Sequence, residues 1–294
     1  NAYLDSSSMI AITGEAASDY QGRGAYQELY MHADAQTTDV MRPAVKRSWL
    51  ISDAHRLPEV MARALSLAVS GRPGPVHLAV TQNAVAQVID CELPDPALHR
   101  PQGRIRGDAE LTQRAADLLR SAERPAIIAG GGALLSEATP EIVELAELLD
   151  CPVGTTIMGK GAISERHELA MGTFGAWGTM PANRATREAD VILAVGTRFA
   201  EGDTSGWIPG KTFQIPPTRL IHVELESYEI GKYYPTELGI LGDAKAVLQD
   251  LLAILKPAGK RPGRTPWVES LLKAKKEWLA TVQSFRFNEA VPLH

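Results

Sequence analysis

The chain has 294 residues, 45% of them hydrophobic and 22% charged, with a net charge of −5 and a pI near 5.9. That composition gives a globular chain of about two domains and excludes a basic nucleic-acid-binding face. No run approaches the ~18 apolar residues of a membrane span, and the two widely spaced cysteines, Cys91 and Cys151, exclude a disulfide framework and a zinc site.

Met9-Ile10-Ala11-Ile12 reads as a short buried strand, followed by a polar loop over Thr13–Gly24. A helical pattern runs from Leu57 to Val69, with Pro58 in the first turn and Gly71 at the stop. Pro75–Val80 is the next strand. Residues 1–90 thus read as the second half of an α/β domain. Pro94, Pro96, Pro101 and Gly103 among charges mark 91–107 as a linker.

A second α/β unit, 108–256, opens at Asp108, a helix-capping residue by type. Helix 109–121 leads to strand Ala126–Ala129 and then to Gly130-Gly131-Gly132. Thr139-Pro140 opens a helix over 140–149, with the threonine expected as cap. Strand Val153–Thr156, helix 181–188, strand Val191–Val195, strand Leu220–Glu224 and helix 244–255 follow. Strands alternating with helices predict a parallel sheet covered on both faces, a doubly wound, Rossmann-like domain. Residues 256–266 are rich in proline, glycine and basic residues and read as a connector to a last amphipathic helix, 267–284. Lys273, Lys275 and Lys276 on that helix read as a solvated face. The start without an initiator Met and the stop at Val291-Pro292-Leu293-His294 read as cuts in a longer chain.

Ligands of doubly wound sheets sit beyond the carboxyl ends of the strands. Ala129-Gly130-Gly131-Gly132-Ala133 lies at such an end, and fits either a phosphate-approaching loop or a plain tight turn, since Leu135 breaks the G-x-G-x-x-G spacing. Thr155-Thr156-Ile157-Met158-Gly159, Gly196-Thr197-Arg198 and Gly242-Asp243-Ala244 occupy equivalent places. Arg198 suits a phosphate or carboxylate, or a surface ion pair. Asp243 suits a ribose hydroxyl, or the cap of its own helix. Gly172–Gly178 carries Phe174 and Trp177 between glycines and suits a planar ring or a subunit contact. His77 and His222 lie in predicted strands and read as sheet-face residues. No paired-histidine, nucleophile-elbow or P-loop motif occurs.

Six strings stand in order along the chain: Ala11-Ile12-Thr13-Gly14, Ala25-Tyr26-Gln27-Glu28, Ser70-Gly71-Arg72-Pro73-Gly74-Pro75-Val76, Ala182-Asn183-Arg184-Ala185, Ala189–Phe199 and Gly242-Asp243-Ala244. Taken together they resemble the thiamine-diphosphate-dependent enzymes of the acetolactate synthase group. The resemblance implies three α/β domains per subunit. It assigns 1–90 to the C-terminal part of the pyrimidine-binding domain, which is a partial thiamine-diphosphate-binding domain, and 108–256 to a central domain of FAD/ADP type. Residues 257–294 become a linker and helix leading to a diphosphate-binding domain.

The chemistry implied is decarboxylation of a 2-keto acid, with thiamine diphosphate as electron sink, followed by ligation to a second 2-keto acid. The activating glutamate is expected upstream of Asn1 and the Mg²⁺-binding motif downstream of His294, so the piece alone is expected to be inactive. Gln27 matches the glutamine that faces the cofactor, and Arg72 an arginine that reaches FAD. Gly131, Gly132, Thr155, Gly175, Gly196, Arg198, Glu224, Asp243 and Ala244 match stretches that line a flavin site, and no metal ligand is assigned in this chain.

Departures from the synthase pattern are Ala200-Glu201-Gly202 after the arginine turn, Trp177 in place of a histidine, and Thr81-Gln82-Asn83 where a lysine stands at the substrate channel. They keep two rivals open: a non-ligating decarboxylase of the benzoylformate or oxalyl-CoA type, and a catalytically silent nucleotide-binding module. The implied partners are a small 2-keto acid and further copies of the chain, as a homodimer or tetramer, with no nucleic acid and no membrane. A cytoplasmic location suits two unpaired thiols.

Overall fold

The computed structural model describes residues 1–26, 28–29 and 36–284. It divides into two compact units, Asn1–Gly103 and Arg104–His294. None of its helices is long and apolar enough to cross a membrane.

The first unit contains β1 (Met9–Glu15), α1 (Thr37–Met41), β2 (Ser48–Ile51), α2 (Leu57–Val69), β3 (Pro75–Thr81) and α3 (Gln82–Val85). Its three strands are parallel in the order β1-β3-β2. The apolar spacing of α2 puts Val60, Ala64 and Ala68 onto Ile51, Val76 and Leu78. Helix α2 ends as its sequence requires: Gly71 takes φ +57°, the left-handed conformation open to glycine. The last carbonyls of α2 are then met by a residue far away in sequence. Lys46 Nζ donates to the carbonyls of Leu67, Ser70 and Arg72 at 2.6, 2.7 and 2.9 Å. His77, fully buried on β3, bridges its neighbours through Thr13 Oγ1 at 2.9 Å and Ser48 Oγ at 2.6 Å. Burial holds its pKa below the ordinary imidazole value.

The second unit runs α4 (Ala109–Ser121), β4 (Pro125–Ala129), α5 (Gly131–Leu135), α6 (Thr139–Leu149), β5 (Val153–Thr155), β6 (Ala170–Thr173) and α7 (Met180–Glu188). It continues with β7 (Val191–Val195), α8 (Glu201–Thr204), β8 (Arg219–Glu224), β9 (Leu238–Leu241), α9 (Ala244–Leu255) and α10 (Pro266–Ser284). Six parallel strands pair in the order β6-β5-β4-β7-β8-β9. Every residue of β4 and β7 is buried. Since alternate residues point to opposite faces, both faces of the sheet are covered. Helices α4 and α6 each pack on α9, and α7 packs on α10. Strand order runs one way from β4 to β6, then restarts beside β4 at β7. The switch point therefore lies between β4 and β7.

Three local expectations change. Thr139 is the first residue of α6 and not its cap. Ala138 holds the cap position without a side-chain bond, because Pro140 already sets the first turn. The stretch after Lys256 is no loose connector. Arg261 donates to the carbonyls of Leu119, Arg120 and Ala122 at the end of α4. Arg264 pairs with Asp150 and Glu168. On α10, Trp267, Val268 and Leu271 join the second unit's core, and Trp267 Nε1 donates to Pro125 O at 3.1 Å. Of the three lysines read as a solvated face, Lys275 turns inward and donates to the carbonyls of His167 and Glu168.

Candidate functional site

Parallel strands bring all six carboxyl ends of the second sheet to one edge, and the loops leaving β4, β5, β6 and β7 meet there. Their contacts are mostly backbone on backbone. Gly132 N donates to Gly196 O at 3.0 Å, Thr156 N to Ala129 O at 3.0 Å and Ala176 N to Gly202 O at 2.8 Å. A Cβ on Gly130 would lie 2.1 Å from Gly196 O, and one on Gly196, itself at φ +59°, 2.7 Å from Gly132 Cα. The glycines at the switch point thus let the β4 and β7 loops touch. Gly131 faces Met158 instead, 3.2 Å from its Cβ. Gly175 has φ +100° and lies against Gly202 O and Asp203. Asn183 holds it through a reciprocal pair, Gly175 N to Oδ1 at 2.8 Å and Nδ2 to Gly175 O at 2.9 Å.

Three features of this four-loop crevice point to a ligand. Thr155 Oγ1, at the end of β5, is buried without a hydrogen-bond partner among the described residues. An orphaned hydroxyl of this kind costs about 1–3 kcal/mol until something bonds it. Second, Arg198 and Asp203 flank the β7 loop. Burial raises the Asp203 carboxyl above the ordinary value, and the Ile157 backbone N–H and the Arg198 charge oppose that rise. Third, the apolar side chains of Ile157, Met158 and Trp177 stay half or more exposed at the rim, the indole lying over Gly202.

The β7 loop carries backbone strain. Phe199 takes φ +52°, a conformation that costs a non-glycine residue roughly 1–2 kcal/mol. Its ring is held edge-on by Phe213, His222 and Tyr234, with centroids 5.5, 5.2 and 5.2 Å away. His222, buried on β8, donates from Nε2 to Thr197 O at 2.9 Å. Burial holds its pKa below the ordinary imidazole value, and the bond to a carbonyl oxygen places a proton on Nε2. Burial pushes the Tyr234 phenol up to about 12.

Of the residues singled out in the sequence, Gly131, Gly132, Thr155, Gly175, Gly196 and Arg198 come together here. Glu224 ends the neighbouring strand β8, buried, and its Oε1 accepts from Leu225 N at 2.8 Å. Asp243 caps α9. It accepts from Ala246 N at 3.1 Å, from Ser136 Oγ at 2.8 Å and from Arg104 Nη1 at 2.9 Å, while Ala244 is the first residue of α9. Arg72 lies in the first unit, where Nε donates to Ser6 Oγ and Nη2 to the Tyr3 and Leu4 carbonyls. Gln27 lies outside the described residues. Asp203 and the Phe199–His222 pair were not picked out from sequence. Their roles depend on a left-handed backbone and on a strand neighbour 23 positions on, and neither has a local signature.

The profile described as "Thiamine pyrophosphate enzyme, central domain" matches residues 112–251, the sheet and crevice just described. Residues 112–251 are a central domain of the thiamine pyrophosphate enzyme type. The chain is 37% identical over 279 residues to a probable acetolactate synthase large subunit of Methanocaldococcus jannaschii, covering 94% of this chain and 45% of that protein. It is 35% identical over 258 residues to an acetolactate synthase of Arthrospira platensis, covering 85% and 43%. An acetolactate synthase large subunit of Corynebacterium glutamicum is 33% identical over 283 residues, with 94% and 43% covered. The chain spans a little under half the length of the relatives it matches.

Proposed function

We propose that the complete protein is a thiamine-diphosphate-dependent decarboxylase and carboligase of the acetolactate synthase type, condensing a pyruvate-derived two-carbon unit with a second 2-keto acid. Likeness to acetolactate synthases along 94% of the chain supports the reading. In it, residues 1–90 belong to the pyrimidine-binding domain and 108–256 form the central domain. Thiamine diphosphate with Mg²⁺, when bound, supplies the electron sink for decarboxylation. The unpaired thiols of Cys91 and Cys151 suit a cytoplasmic protein, and self-assembly as a dimer or tetramer goes with the reading.

The crevice at the β4–β7 switch point takes a nucleotide cofactor, FAD or ADP. Thr155 Oγ1 is the observation that carries this: a buried hydroxyl in want of a partner at the edge where such sheets bind ligands. Arg198 meets a phosphate in charge-assisted fashion. Asp203 accepts from a ligand hydroxyl or ring N–H. Trp177, Ile157 and Met158 keep water off a planar ring.

The test is release of cofactor from the purified complete protein by denaturation, read by absorbance and chromatography, beside pyruvate turnover with added thiamine diphosphate and Mg²⁺. Released FAD or ADP with acetolactate formed supports both parts. Aldehyde in place of acetolactate sinks the ligation step and leaves a decarboxylase. A protein free of nucleotide, and unable to bind one, sinks the role given to the crevice.

A further inference from the structure

The β7 loop is built from residues that touch no reacting group and yet decide where Arg198 stands. Three observations converge on it. Gly196 and Thr197 leave β7 beside the β4 glycines, with Gly132 N bonded to Gly196 O. Thr197 O accepts from His222 Nε2 at 2.9 Å, a bond from the adjacent strand to the residue just before Arg198. Phe199, the residue just after Arg198, is left-handed, and its ring fills a slot among Phe213, Tyr234 and His222 itself. One buried imidazole therefore fixes both flanks of Arg198, one by a hydrogen bond and the other by ring packing.

A sheet-face histidine needs no such arrangement. A leucine would fill the same space, and the loop could relax into an unstrained conformation. The strain at Phe199 persists because the ring contacts and the His222 bond over-determine it, and backbone strain held this way collects where a side chain must be aimed. The residue between these two anchors is Arg198, and its charge acts on Asp203 of the following helix α8.

We infer that His222 and Phe199 are positioning residues that orient Arg198 toward the phosphate of a nucleotide in the crevice. The inference rests on the nucleotide reading above. Loss of the His222 donor frees the Thr197 carbonyl and lets the loop swing. Loss of the Phe199 ring lets the backbone leave the left-handed region. Either change removes the orientation of the guanidinium while leaving the guanidinium itself.

The experiment is a double-mutant cycle in the complete protein, with ADP and FAD binding measured by calorimetry and folding followed by circular dichroism. Arg198→Met is expected to weaken binding by about 10- to 100-fold. His222→Leu is expected to weaken it by about tenfold when Arg198 is present and hardly at all in the Arg198→Met background, because the two act as one. His222→Gln, which keeps an N–H near the Nε2 position, is expected to restore binding. Should His222→Leu fail to fold, Phe199→Leu carries the same cycle. Equal losses from His222→Leu with and without Arg198, or failure of His222→Gln to restore binding, would show a merely structural role and overturn the inference while the nucleotide reading stands. A wild-type protein that binds neither ADP nor FAD overturns both.

Discussion

One hydroxyl of the second sheet is left unmet by the fold. Thr155 Oγ1 is buried with no partner among the described residues, so for folding alone valine is the better residue. Thr155→Val is expected to raise stability by about 1 kcal/mol in denaturant titration of the nucleotide-free protein, since it removes an unmet polar group at constant shape. The same change is expected to weaken ADP or FAD binding, and unchanged binding would take the hydroxyl out of the site. Asp203 makes a second residue-scale statement. Burial raises its folded pKa, so the fold prefers the neutral acid. Its contribution is fully present below the unfolded value of about 3.9 and is lost as pH rises through the higher folded value. Asp203→Asn is neutral throughout. Its stability relative to wild type is expected to rise across that window, as read from melting temperatures between about pH 4 and 7.

Among elements, the ends decide more than the middles. Helix α2 has the same bounds in sequence and structure because proline, apolar spacing and Gly71 are all local. What closes it is not local: Lys46 reaches three carbonyls at its end. Lys46→Met keeps the stem and removes the donors. It is expected to cost about 1.5–3 kcal/mol in urea unfolding, the range for hydrogen bonds to a charged group. The β4 and β7 loops make the opposite case, where an added atom does the damage. Gly196→Ala sets a methyl 2.7 Å from the Gly132 backbone and forces a side chain onto a left-handed residue. Overpacking of that kind costs about 1–3 kcal/mol, and here neither backbone can yield without opening the switch point. A lowered melting temperature together with weakened nucleotide binding is the expected result. The strands β2, β6 and β9 are absent from the sequence reading. At four residues each they are too short to show a period of their own, and they are strands because a neighbour pairs with them.

At the scale of the molecule, the two units carry very different cores. The first rests on a small cluster around Leu78, Val76 and Ile51 and keeps an apolar cavity of about 320 Å³ lined by Ile12, Leu57, Met61 and Val80 among others. The second buries a continuous core that includes α10. Hydrogen exchange is accordingly expected to run slower in β4 and β7 than in β1. Trp267 is the sharpest probe of where the second unit ends. It is buried, donates to Pro125 O, and sits on the amphipathic helix that follows the 256–266 connector. Trp267→Ala is expected to cost about 3–5 kcal/mol, the range for a buried aromatic. A loss below about 0.5 kcal/mol, typical of a surface position, would take α10 out of the second unit's core.

Local chemistry made the second unit legible before any coordinates. The capping aspartates Asp108 and Asp243 each bond the backbone of the helix they precede, and the apolar runs of β4 and β7 are buried on both faces. The family was legible too, since ordered motifs from Ala11 to Ala244 carry it. Tertiary structure decided the rest, because the deciding contacts lie far apart in sequence. It bonds the capping Asp243 to Ser136 and Arg104, brings Gly130 and Gly196 into a loop–loop contact, and turns Lys275 inward. It also set His222 beneath Thr197 and held Phe199 left-handed beside Arg198. Hydrophobic period and capping act within a few residues and can be read along the chain. Orphaned hydroxyls, strained backbones and buried histidines exist only once distant strands have closed around them.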